Sequence, residues 1–294
     1  MKKSRLFICL NLFLAFLLFQ SCSKSDEPIL NDEAETPSTP DGSEGEIDSY
    51  YQKADGKAAA ELKTALFTII RVGKRLEYGS GAGKTWSGFE KTDLHPAGHV
   101  WDMYSYNKVK FPGNGGVPSG MNIEHSVAKS WWGGTKNNAY KDLYHLNPSN
   151  AAANSARSNY PLGVVKNGQT VGSLKIGNNS FGSEYTGKSF EPLDEYKGDF
   201  ARAYMYMFTC YEDLKWTGTE APNMLKNEKY PMLKPWAAEL LLKWNREDPV
   251  SEKELNRAAE IYKIQQNRNP FIDYPELADY LWGTHKGKKF YFRK

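Results

Sequence analysis

The chain predicts one α+β domain, mainly helical, over residues 50–294. Three observations predict it. Segments with apolar residues at helical spacing outnumber segments that alternate. The alternating segments cluster in the middle of the chain instead of being spread between helices. Residues 50–294 also supply enough length and aromatic mass to close a single core by packing alone. Packing must suffice, because Cys9 and Cys22 precede the domain and Cys210 is the one cysteine within it. An internal disulfide is thereby excluded, and Cys210, set in a helical apolar pattern, reads as a core residue.

The first fifty residues do not read as a fold. Three charges in Met1–Arg5 precede an apolar run, Leu6–Phe19, too short and wrongly flanked for a stable transmembrane helix. Residues 1–21 are expected to be a signal peptide. Phe19-Gln-Ser-Cys22 resembles a lipobox, which makes Cys22 the expected lipidation site; the alternative is an ordinary signal peptide with an incidental cysteine. Residues 22–49, rich in Ser, Pro, Asp and Glu, read as an acidic disordered tether. Charge divides accordingly. Residues 1–49 hold four Lys/Arg against nine Asp/Glu, leaving 34 against 26 in the domain, a net of +8. A basic domain suits a polyanionic partner, although many basic domains bind nothing.

Lys57–Leu76 has helical periodicity and is broken by Gly79–Gly83. His95 and His99 lie in a turn, where Pro96 and Gly98 prevent the helix that would align them on a metal. Val100–Ser105 alternates like a strand, and Phe111–Gly120, with four glycines and two prolines, is a loop. Glu124-His125 falls at the end of one short strand, and Asp142–Leu146 is a candidate second. Leu162–Ile176 reads as a hairpin turning at Lys166–Gln169, followed by a polar loop, Gly177–Gly187. Asp199–Asp213, Pro235–Asn245, Ser251–Gln266 and Pro275–Trp282 read as helices; the third opens on a capping box, Ser251 with Glu254.

The chemistry concentrates in residues 121–160. Asn147-Pro148 reads as an N-cap with proline at the first helical position. A helix from there sets Asn147, Asn150, Asn154 and Arg157 on one face. Asn costs about 0.5 kcal/mol against Ala in a helix, so the stripe suggests selection for its side chains. A solvated polar face is the competing reading. Neighbours in a strand point to opposite faces, so Glu124 and His125 reach one site only at a strand end or bulge. Phosphodiester hydrolysis needs an activated water, charge neutralisation and a proton for the leaving oxygen. A neutral imidazole suits the first task. Mg²⁺, held by one carboxylate and one amide oxygen plus water, suits the others. His125, Glu124 and Asn154 fit those roles, and Arg157 is placed to hold a phosphate oxygen.

Glu124-His125-Ser126, Asp142-Leu-Tyr-His-Leu-Asn-Pro148 and Asn154-Ser-Ala-Arg157-Ser-Asn159 resemble the endonuclease I family of bacterial exported nucleases, a branch of the His-Me finger (ββα-metal) superfamily. Further blocks are similar: Thr92-Asp93, Val100–Ser105, Ala201–Tyr204, Asp248–Val250 and Gln265–Asp273. The resemblance covers Tyr50 to Trp282. It implies a mainly helical single domain around a central ββα-metal finger, with His125 as general base and Glu124 and Asn154 holding one divalent ion, usually Mg²⁺. Two departures stand out. Many members carry His where this chain has Tyr144, and here a His follows at His145. An Arg that meets the scissile phosphate in the family has no counterpart in the short loop Trp131–Lys141. Arg157 is the expected substitute, with Lys136 and Lys141 as alternatives. Asn267 and Arg268, with Asn269, are either a substrate-contact loop or a helix stop before Pro270. Trp131 and Trp132 either stack on bases or pack in the core, with the core favoured.

The expected function is an exported, divalent-metal-dependent, largely sequence-nonspecific endonuclease acting on DNA, with RNA as a second substrate. The expected state is a monomer, lipid-anchored through Cys22 at the outer membrane or cell surface, or periplasmic. The alternative is a non-catalytic surface lipoprotein that binds nucleic acid or another polyanion.

Overall fold

The structure, a computed structural model, describes residues 44–293; the expected signal peptide, Cys22 and most of the tether lie outside them. It is a mixed fold of helices and two small antiparallel sheets. Helix α1 (Glu44–Tyr51) occupies the last residues assigned to the tether, and Ile47 on it is buried. Order thus begins before residue 50, because Tyr274 donates a hydrogen bond to Asp48 and Tyr51 donates one to Asp273 at 2.6 Å.

Helix α2 (Ala59–Ile70) is shorter than its periodicity suggested. Past its end the Ile70 carbonyl accepts from Asn267 Nδ2 instead of a further helical N–H, and Gly73 lies at φ +154°, where an added Cβ would meet the Gln265 carbonyl at 2.5 Å. Helix α3 (Thr85–Thr92) follows. The expected strand Val100–Ser105 is instead a turn: the Asp102 carboxylate accepts the Tyr104 N–H at 2.8 Å and the Ser105 hydroxyl, so the chain folds on itself before pairing.

Strand β1 (Met121–His125) pairs antiparallel with β2 (Leu146–Asn150), in the register Glu124↔Asn147 and His125↔Leu146. The second strand is therefore not Asp142–Leu146, and Asn147 is not an N-cap. Asp142 accepts the Tyr144 N–H at 3.0 Å in a side-chain turn, which delays the strand. Pro148 is tolerated because each strand of a two-stranded sheet keeps a free edge. Asn150 is the true cap, accepting the Ala153 N–H at 3.0 Å, and helix α4 runs Ala151–Arg157. The expected four-residue stripe shrinks to Asn154 and Arg157 on that helix.

Strands β3 (Val165–Val171), β4 (Leu174–Asn179) and β5 (Lys188–Glu191) form the other sheet in that order. The hairpin turns at Gly172-Ser173, not at Lys166–Gln169, which lies in β3 around a register shift. Gly172 at φ +63° allows the two-residue turn, and a Cβ there would meet the Tyr104 carbonyl at 2.2 Å.

Helix α5 (Lys197–Cys210) is buried from Gly198 to Cys210, Cys210 included, and packs against α2 and the later α7. A helix apolar on one stripe only would not tolerate that position. After α6 (Ala221–Met224) come α7 (Pro235–Glu247), α8 (Glu252–Gln265), α9 (Pro270–Asp273) and α10 (Leu277–Trp282). Ser251 caps α8 through the Glu254 N–H at 3.3 Å, but the Glu254 carboxylate pairs with buried Arg202 instead of closing the expected box. Trp131 and Trp132 are core residues, Trp131 stacking on Phe208 with centroids 6.4 Å apart. No described helix is long and apolar enough to cross a membrane.

Asp142 is the polar centre of this packing. It receives Arg75 Nη2 at 2.8 Å, Tyr206 Oη at 2.8 Å, Tyr211 Oη at 2.6 Å and Gln265 Nε2 at 3.0 Å. Burial pushes its carboxyl up, but Arg75 and the hydrogen bonds outweigh burial and hold it below the ordinary carboxylate value. A carboxyl depressed by folding stabilises the fold above its unfolded pKa, about 4, and loses that contribution as pH falls through the folded value. Asp142→Asn, which leaves buried Arg75 without a counter-charge, is expected to cost about 3 kcal/mol at pH 7. The deficit against wild type should narrow at pH 3. Urea unfolding at both pH values checks this, and equal stability at pH 7 would rule out a structural role for the node.

Candidate active site

The site is built on the β1–β2 ladder and α4. Glu124 and His125 are buried, 3% and 5% exposed, at the end of β1. Their side chains leave the strand on opposite sides, as neighbours must. Glu124 meets Tyr104 and Arg157, while His125 meets Tyr78, Trp132, Tyr140 and His145. Arg157 Nη1 links the two positions, meeting the Glu124 carboxylate at 3.0 Å and the His125 carbonyl at 3.1 Å.

Glu124 Oε1 receives Tyr104 Oη at 2.8 Å and Arg157 Nη1 at 3.0 Å. Burial raises its carboxyl above the ordinary value, against the pull of Arg157, Tyr104 and the His125 N–H. Asn154 is half-buried one turn before Arg157, and its Nδ2 donates to Asn122 Oδ1 at 2.7 Å. That bond commits the amide nitrogen and leaves Asn154 Oδ1 as the open atom. Asn122 shares the face of β1 with Glu124, two residues on. One carboxylate and amide oxygens form a hard-donor set that fits Mg²⁺ with water completing the shell. Among the described residues no three His, Cys, Asp or Glu side chains gather into a metal cage.

His125 Nε2 lies 3.1 Å from the Tyr140 carbonyl oxygen. A carbonyl only accepts, so Nε2 carries the proton and Nδ1 keeps its lone pair. Burial, then the neighbouring His145, hold the imidazole well below its ordinary pKa and hence neutral at pH 7. His145 is fully buried, its Nε2 donating to the Ala139 carbonyl at 2.6 Å; burial pushes it down to about 4. It supports the loop from inside. Tyr144 is likewise internal, its hydroxyl donating to the Asn267 carbonyl at 3.0 Å.

The residues expected to meet substrate differ in exposure. Arg157 is 1% exposed, with Nη1 on Glu124 and the His125 carbonyl and Nη2 on the Ser126 carbonyl and Tyr204 Oη. In this structure these protein partners take up its guanidinium. Asn267 is fully buried, donating to the Ile70 carbonyl and Tyr206 Oη, and Arg268 pairs with Asp273 at 2.8 Å. Both side chains are engaged within the protein. Lys141 pairs with Glu77 at 2.7 Å, and Lys136 is exposed in the loop. Sequence reasoning missed Lys129, which is exposed with Nζ 5.5 Å over the Tyr140 ring. It also missed Tyr104 and Asn122. Period-two alternation back from Glu124 was the signal available for Asn122; nothing local marked the other two.

The chain is 38% identical over 244 residues to an extracellular ribonuclease of Bacillus amyloliquefaciens, covering 81% of this chain and 79% of that one. It is 36% identical over 242 residues to an extracellular ribonuclease of Bacillus subtilis (strain 168), with the same two coverages. It is 30% identical over 155 residues to an endonuclease-1 of Buchnera aphidicola subsp. Baizongia pistaciae, covering 49% of this chain and 55% of that one. The Endonuclease I family model matches residues 58–276, spanning β1, β2, α4 and nearly all the helices around them, so the chain belongs to the endonuclease I family.

Proposed function

We propose that this chain is an exported, divalent-metal-dependent endonuclease that hydrolyses phosphodiester bonds in DNA and RNA with little sequence preference. The observation that carries the reading is the end of β1. There the His125 imidazole gives its Nε2–H to the Tyr140 carbonyl and keeps Nδ1 as the acceptor nitrogen, next in sequence to the buried Glu124 carboxylate, while Asn154 on α4 is tied through its amide nitrogen to Asn122 of the same strand. In this reading β1, β2 and α4 are the ββα finger. Relatives named as extracellular ribonucleases support both RNA as a substrate and export. Residues 1–21 are the proposed signal peptide, with Cys22 as the lipid-bearing first residue of a tethered mature chain.

His125 takes the proton of the attacking water at Nδ1, and the Tyr140 carbonyl stabilises the imidazolium through Nε2–H. Glu124 and Asn154 are the proposed ligands of one Mg²⁺, which when bound supplies charge neutralisation at the phosphate and an acidic water for the leaving oxygen. Arg157 fixes Glu124 without touching substrate. Lys129 is the cation proposed to meet the phosphate. No described element has the form of a recognition helix, so affinity rests on phosphates and falls with salt.

Three outcomes test the assignment. Wild type is expected to nick plasmid DNA with Mg²⁺ and not with EDTA, and His125→Ala to be slower by about 10²–10⁴-fold; wild-type rates in that variant would sink the base role. Lys129→Ala is expected to lower kcat/KM uniformly across sequences and to reduce the log–log salt slope by about 1. An unchanged slope would return the phosphate contact to another cation. Asn122→Ala frees the Asn154 amide to rotate and is expected to weaken Mg²⁺ about tenfold or more in calorimetric titration. Unaltered metal affinity would remove Asn122 from the site.

A further inference from the structure

Three of the large hydrophobic side chains exposed on the described surface fall on one excursion before β1: Leu94, Tyr106 and Val117. Tyr106 is the most exposed of all, at 71%, and makes no hydrogen bond or ring contact among the described residues. The same excursion carries an aromatic stack. His95 and His99 are parallel at 4.2 Å, and Trp101 tilts onto His95 at 4.6 Å. The Val100 N–H donates to the Val109 carbonyl at 2.8 Å, which sets Lys108 and Lys110 alongside this stack. Neither lysine forms an ion pair among the described residues, and both are exposed.

The excursion is joined to the cleavage centre. Tyr104, two residues before Tyr106, donates to Glu124. Around Gly172, the Tyr104 carbonyl, Ser105 Cβ and Ala153 Cβ converge, so the chain reaches Tyr106 beside the residue preceding Asn154. The exposed ring and the two exposed lysines thus follow within six residues of Tyr104, which touches the proposed ligand Glu124.

We propose that Tyr106, with Lys108, Lys110 and the His95–Trp101 stack, forms a subsite for an unpaired nucleic-acid strand entering the cleavage centre. The ring stacks on a base while the lysines follow the backbone, the arrangement that binds single strands without reading sequence. Bases inside a duplex are already stacked on one another, so the subsite favours unpaired substrate over paired.

The proposal rests on the nuclease reading only for the cleavage centre, and a binding measurement separates the two. Fluorescence anisotropy of a labelled, non-self-complementary 12-nucleotide strand in EDTA reports binding without cutting. Tyr106→Ala is expected to weaken binding about fivefold or more, the loss of one stacked base. Tyr106→Phe, which keeps the ring, is expected to stay near wild type, and Tyr291→Ala, exposed outside the excursion, serves as control. The loss should be smaller on a duplex of the same sequence. Wild-type affinity in Tyr106→Ala, or equal losses on strand and duplex, overturns the subsite. Selective loss in a protein that never cuts with Mg²⁺ sustains the subsite and overturns the nuclease reading instead.

Discussion

Around Asp142, one buried carboxylate holds together three parts of the chain that are distant from it in sequence. Arg75 follows α2, Tyr206 and Tyr211 belong to α5 and its end, and Gln265 closes α8. A buried charge without partners is strongly unfavourable, so the conformations in which all these donors converge are favoured together. The turn from Asp142 to His145 is thereby fixed, and with it the start of β2 and its register against β1. Glu124 and His125 keep their positions because a carboxylate that takes no part in their chemistry sets the strand opposite them.

A second buried charge plays the matching part behind β1. Arg157 collects Glu124, two successive main-chain carbonyls and the Tyr204 hydroxyl. The guanidinium suits this because its planar fork places several donors at once and stays charged when buried. Buried guanidiniums at Arg75, Arg157 and Arg202 organise the fold in this way, each on a buried carboxylate, and buried Lys63 does the same on Glu212.

The sequence reveals much of the helical frame and the region of the site, and the reasons are local. The extents of α7 and α8 follow from Pro235 at a first position and Ser251 as a cap, signals contained within a few residues. Local signals also misled. Asn147-Pro148 has the composition of a helix start and sits in a strand, because Asp142 ties the preceding turn through side chains far away in sequence. Val100–Ser105 alternates like a strand, yet the Asp102 carboxylate satisfies the backbone that a neighbouring strand would have paired. Arg157 stands on α4 next to Asn154 in motif and in space, but whether it faces outward or inward depends on Glu124 and Tyr204 lying behind it. Spacing identifies which residues share a face, and only the packed neighbours decide which of them meets water.

The hydrogen bond from His125 to residue 140 has an evolutionary side. Its acceptor is a main-chain oxygen, present whatever side chain residue 140 carries. The proton's location on the ring is inherited through the path of the loop, not through any letter of the sequence. A substitution at residue 140 that leaves the loop's path unchanged leaves the acceptor in place, whereas a change that reroutes residues 126–145 removes it with every residue of the motif retained.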